Sequence, residues 1–231
     1  MKKLISVAVF AIFSASSAMS AGLSDITPSI GLSYNQAGFA AEGNERVGSD
    51  TGTLQSVTEE YGAFAEQYGS IFLELGFGDA IALGIEYVPS GIDTPENTSR
   101  ESEDSSVGSN GAGNSKVSAT FEDLTTVYAK INILPLGGTY MKLGYAKVDV
   151  KINEVMESGN TYADVDTSGY TAGIGYNYEV ANGFAIRAEV MASQFDDVTT
   201  NNGVTTASVS NGGKNVVQVE SMWGAKGTIS L

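Results

Sequence analysis

The densest run of ionisable side chains in this sequence is Glu101-Ser102-Glu103-Asp104-Ser105-Ser106. Paired carboxylates such as Glu101 and Glu103 are what general acid–base chemistry uses, provided a rigid surround raises one pKa and fixes the geometry. A stretch made only of acids and serines supplies neither. Clustered carboxylates also bind divalent cations, but no spacing here matches a calcium loop. The chain has no His and no Cys. That removes a Ser-His-Asp triad, an imidazole base, a thiol nucleophile, a disulfide framework and an ordinary zinc site. No catalytic, cofactor-binding or metal-ligating residue is therefore assigned, and no cofactor is expected. Lys+Arg total 12 against 27 Asp+Glu, a formal charge of −15, so nucleic-acid phosphates would be repelled. Asn97-Thr98-Ser99 fits a glycosylation acceptor and is read as chance.

A second group of charges is placed differently. Glu74, Glu86, Lys130, Lys142, Arg187, Glu189 and Lys226 all lie inside stretches of strict apolar/polar alternation, on the polar parity. Glu74 is four residues from Gly78, Lys142 four from Gly138 and Arg187 four from Gly183, so opposite charges recur at similar heights. Charges at one level can pair across a lumen, as buried charges must. These seven residues are the expected interior ionic cluster.

The elements that must position them have period two. Ile71, Leu73, Leu75 and Phe77 share one face, and Gly78-Asp79 turns the chain into Ile81, Leu83, Ile85 and Tyr87. Val127–Ile133 and Met141–Tyr145 form a second hairpin through Pro135 and Gly137-Gly138. Tyr170–Tyr178 and Phe184–Val190 form a third through Asn182-Gly183. Single strands at Ile30–Tyr34 and Val217–Leu231 complete eight, with Val217, Val219, Ala225 and Ile229 on one parity. Val148 and Val150 break the parity set by Met141 to Tyr145, which marks a bulge or a membrane edge there. Tight turns alternate with long polar stretches at Gly43–Glu60, Pro89–Lys116, Asn153–Thr167 and Asp197–Lys214. That alternation is the pattern of a membrane barrel, with short turns on the periplasmic side.

Period two alone also describes a soluble sandwich, or a lipocalin-like carrier with its apolar parity inside. Aromatic placement favours the membrane. Phe77, Tyr176, Tyr178 and Phe184 lie near the tight turns, and Tyr87, Tyr145, Tyr170 and Trp223 lie toward the long stretches. At ~3.3 Å per residue and a tilt near ~40°, Asp79 to Tyr87 rises roughly 20 Å, close to the ~25 Å band between aromatic girdles. Glycines agree: Gly31, Gly76, Gly84, Gly144, Gly173, Gly175 and Gly224 fall on the polar parity, where they relieve crowding inside a narrow barrel. The expected fold is all-β, an eight-stranded antiparallel up-and-down transmembrane barrel with long extracellular loops.

Lys2 and Lys3, the apolar run Leu4–Phe13 and Ala18-Met19-Ser20 have the form of a cleaved secretory signal. The expected domains are thus a signal peptide at 1–20 and a barrel at 21–231. With the hairpin order and the inward glycines and charges, the chain resembles the small eight-stranded outer-membrane barrels of Gram-negative bacteria, the opacity and OmpA/OmpX-type group. It ends Gly227-Thr228-Ile229-Ser230-Leu231 where members usually end in an aromatic, and the peptidoglycan-binding domain that some relatives carry after strand eight is not expected. The resemblance implies residence in the outer membrane, with its lipid, lipopolysaccharide and assembly machinery as partners. It also implies a structural or adhesin-like role, with a host or surface ligand at acidic loops. A narrow small-solute channel is the other membrane reading.

Overall fold

The computed structural model describes residues 26–48, 54–101, 113–133, 136–155, 161–181, 183–202 and 215–231. The expected signal peptide, the acidic stretch after Glu101, Pro135 and Asn182 lie outside them. Among the described residues eleven strands follow in chain order: β1 (Ile26–Gly48), β2 (Leu54–Phe77), β3 (Ile81–Tyr87), β4 (Ile92–Asp93), β5 (Asn97–Glu101), β6 (Gly113–Asn132), β7 (Thr139–Val155), β8 (Val165–Ala181), β9 (Phe184–Phe195), β10 (Val198–Asn201) and β11 (Asn215–Ser230). Eight form a ring in the order β1-β2-β3-β6-β7-β8-β9-β11, closed by antiparallel pairing of β11 with β1. At the seam Leu32 and Leu231 exchange backbone hydrogen bonds of 2.9 Å. In the lower barrel closure leaves no sheet edge, a requirement where lipid offers backbone groups no partner. β4 and β5 carry the line of β3 along β6, and β10 carries the line of β9 along β11.

Alternation decides the two faces. Ile30, Leu32, Leu83, Leu143, Ile174, Val190 and Ile229 are exposed on the outside, and Leu73 is half-exposed. Glu74, Lys142 and Arg187 are buried within. Inward glycines face inward aromatic rings: a Cβ added at Gly84 would overlap Tyr128, one at Gly175 would overlap Tyr140, and one at Gly31 would overlap Phe72. Each glycine is the register partner of its aromatic on the adjacent strand, and the ring lies so close over its backbone that only hydrogen fits.

The strands run much further than the alternation predicts. Gly43 pairs with Glu60 and Arg46 with Val57, inside a stretch expected as loop. The other three stretches likewise contribute β5, the outer parts of β6 and β7, and β10. The reason is an inversion of pattern. Just beyond the outer aromatics, one extra residue enters β11 between Glu220 and Trp223, and another enters β6 between Glu122 and Thr125. Asp123, in the second bulge, has φ 54°, a left-handed conformation that Asp tolerates better than most side chains. Each bulge reverses which parity faces in. Val217 and Val219 thereby line the interior, although their parity lower in β11 faces out. β7 needs no bulge: its register with β8 is unbroken from Thr139 to Val150, and Val148 and Val150 are simply inward residues. Beyond the bulges Lys147, Lys151 and Glu122 stand outside in exposed ion pairs.

Gly175→Ala is expected to lower stability by about 1–3 kcal/mol through overpacking. Gly227→Ala, where an added Cβ meets nothing within 4 Å, is expected to be neutral. Urea titration of the lipid-embedded protein, read by mobility of unboiled samples on gels, separates the two.

Candidate functional site

The strands deliver the interior charges to two adjoining levels. On the first, Glu74 of β2 is held by Arg187 of β9 through two parallel hydrogen bonds of 2.6 and 2.7 Å, and by Lys130 of β6 at 2.8 Å. The Tyr128 hydroxyl donates to the same carboxylate at 2.9 Å. Arg187 Nε donates to Asn177 at 3.1 Å, and its guanidinium stacks over Phe72 with 4.7 Å to the centroid. On the second level, Glu86 of β3 accepts from Lys226 at 2.7 Å, Ser70 at 2.8 Å and Lys142 at 3.1 Å. Lys142 also reaches Glu189 at 3.1 Å, and Tyr140 donates to Glu189 at 2.6 Å. Lys142 Nζ sits 4.0 Å over the Tyr128 ring, tying the levels together. Three carboxylates thus face four cations, and every one of the seven has an ion-pair partner.

Several members of this network are not marked by charge. Tyr140 and Asn35 are fully buried. Asn35 donates to Ser70 at 3.0 Å and accepts from Thr228 at 2.6 Å, extending the hydrogen bonds toward the closing seam. Parity places these residues inside, but nothing in their spacing says which carboxylate each tyrosine reaches.

Above the charges the interior turns apolar. Ala37, Tyr68, Val88 and Ile92 form a buried cluster, and Phe39, Phe64, Phe121 and Leu124 pack on it. The three phenylalanine rings stack, with centroids 5.0 Å apart for Phe39 and Phe64 and 6.1 Å for Phe39 and Phe121. Between this cluster and the charges the lumen keeps a cavity of only about 30 Å³. That is room for a water or two.

On the outside, Tyr176, Tyr178 and Phe184 are exposed near the turns, where Phe77 is half-buried. Tyr145, Tyr170 and Trp223 are exposed one band away, with Tyr87 half-buried. Tyr145 and Tyr170 are register partners in edge-to-face contact at 5.4 Å. Beyond that band, hydrogen bonds from Lys147 to Asp166 and from Lys151 to Glu122 raise the pKa of both ammonium groups. Among the described residues no group of three or more acids that could hold a metal ion is found.

Comparison with known proteins gives one family match and several distant structures. The outer membrane protein beta-barrel domain matches residues 5–212. The outer membrane protein OprG of Pseudomonas aeruginosa is 12% identical over 87% of this chain and 96% of its own, with a TM-score of 0.44. The outer membrane protease OmpT of Escherichia coli is 10% identical over 87% and 95%, with a TM-score of 0.46. Ail, the attachment invasion locus protein of Yersinia pestis, solved with the heparin analogue sucrose octasulfate, is 14% identical over 87% and 99%, with a TM-score of 0.33. No curated protein matches the chain.

Removing one partner of a buried pair strands the others. Glu74→Ala is expected to cost about 3–5 kcal/mol, because Arg187 and Lys130 both lose their carboxylate. Lys116→Ala breaks only the exposed pair with Glu96 and is expected to leave stability unchanged within error. Urea midpoints measured in lipid compare the two.

Proposed function

This chain belongs to the outer membrane protein beta-barrel domain family, and we propose that it is a non-conducting, non-enzymatic barrel acting through its long outer hairpins at the bacterial surface. The proposal includes export by the signal at residues 1–20, with the tight turns left on the periplasmic side. Tyr176, Tyr178, Phe184 and Phe77 then serve as the inner girdle, and Tyr87, Tyr145, Tyr170 and Trp223 as the outer one. Lipid and lipopolysaccharide surround it, and the outer-membrane assembly machinery inserts it.

The carrying observation is the filled lumen. Seven charged side chains and the rings of Phe72, Tyr128 and Tyr140 occupy the middle of the barrel. Eight strands leave an interior just wide enough for side chains. A solute would have to break several buried ion pairs to pass. The absence of His and Cys from the sequence supports a non-enzymatic role. Length supports the surface role: β1 and β2 remain paired out to Val47 and Ser56, well past the outer aromatics. Glu59 and Glu60 are exposed near their outer end, and with Glu101, Glu103 and Asp104 of the sequence they supply negative charge suited to cation-bridged contact with lipopolysaccharide or to a basic surface ligand.

Planar-bilayer recording is expected to show no conductance steps, and Lys142→Ala is expected to lower stability without opening a path. Discrete steps whose size changes in Lys142→Ala would replace this reading with the narrow channel. Attachment of expressing cells to a host-cell monolayer is expected to exceed that of vector-only cells. Neutralising Glu101, Glu103 and Asp104 to their amides is expected to reduce it.

A further inference from the structure

We propose that the outer half of the barrel is a binding chamber for one small, uncharged, apolar molecule. This stands apart from the surface role of the hairpins. Above the stacked phenylalanines lie two open cavities of about 400 and 460 Å³. They share Thr94, Pro95, Ala119, Val150, Val198 and Val219 as walls and so adjoin. Each is within the ~300–1,000 Å³ typical of ligand sites.

The walls specify the chemistry of the guest. Phe39, Phe64 and Phe121 make the floor, and Ile92, Val150, Phe195 and Val198 the sides. Among the described residues neither cavity is lined by a lysine or arginine, so an anion finds no counter-charge there. The carboxylate of Glu60 on the outer rim repels it further. In the cavity nearest the phenylalanines the two hydroxyls are already engaged: Thr94 accepts from the Ala119 amide at 2.8 Å, and Thr167 donates to the Asp196 carbonyl at 2.8 Å, while Thr58, Ser118, Tyr162, Thr200, Asn44 and Asn97 line only the outer cavity. Seated in that inner cavity, a guest that needs hydrogen bonds would lose those it makes with water. An apolar guest exchanges poorly held water for ring and aliphatic contacts.

Access and retention also follow from the fold. Pairing of β2 with β3 ends at Ile71 and Tyr87, and β4 and β5 then pair with β6. The chamber touches both sides of that break, at Gly62 and Phe64 on β2 and at Ile92 and Pro95 across it. Below, the ion-paired plug closes the lumen. The chamber is closed toward the periplasm.

The test uses the full mature barrel in lipid nanodiscs, with radiolabelled naphthalene as probe and empty discs subtracted in equilibrium dialysis. Saturable binding of about one molecule per barrel is expected, at least about tenfold tighter than for naphthalene-1-sulfonate. Ala119→Trp fills the junction of the two cavities and is expected to abolish the saturable component. Val198→Trp, on the short β10, is expected to do the same and serves if Ala119→Trp does not fold, as judged by heat-modifiable mobility. Uptake that is linear and equal to that of empty discs would overturn the proposal. So would saturable binding that a folded filling variant leaves intact, or equal affinity for the sulfonate. Conductance plays no part in the readout, so failure here leaves the surface role untouched.

Discussion

A charged side chain in this barrel has one acceptable direction. Turned outward at mid-height it meets hydrocarbon, at about 2–4 kcal/mol for Arg or Lys in a barrel wall. Turned inward it meets a space too narrow for bulk water, where it must be paired. The bidentate contact of Arg187 with Glu74, shared with Lys130, satisfies that demand across three strands far apart in sequence. A slip of one residue in any of them would turn the charge into lipid and its leucines into the lumen. The ionic network therefore does more for register than for net stability, since buried pairs largely offset their own desolvation.

Glycine is the complement of those charges. Tyr128 and Tyr140 reach their carboxylates by lying across Gly84 and Gly175. Small and large residues thus alternate around the inner wall, and the lumen fills without strain. The plug and the glycine pattern are two aspects of one packing solution.

Further out the same sheet obeys the opposite rule. Once past the lipid, water lies outside and the hairpins must bury apolar groups inside to stand up. Two single-residue bulges in β6 and β11 make that reversal, and β7 makes it by composition alone. The result is a membrane barrel below and a water-soluble one above, continuous in backbone and opposite in polarity. The proposed surface role would draw on the outer polar face of the upper part, and the proposed chamber on its inner face.

Period two, the turn glycines and the seven charges were legible because each is a local property of a strand. A residue's parity needs only its neighbours, so the lipid face and the inward charges could be read from Ile71–Tyr87 or Tyr170–Val190 alone. Which charge meets which could not, because Glu74 and Arg187 are brought together only by ring closure and strand stagger. The outer extensions were also hidden: where the pattern inverts, alternation over a short window breaks down and resembles loop. Val148 and Val150 showed that break in the sequence, but only the paired register of β7 with β8 identifies it as a continuing strand facing inward. The sequence by itself determined the lower barrel, since lipid imposes one pattern on every strand. The ion-pair partners, the bulges and the apolar chamber were decided by tertiary structure, because each joins side chains that no local spacing relates.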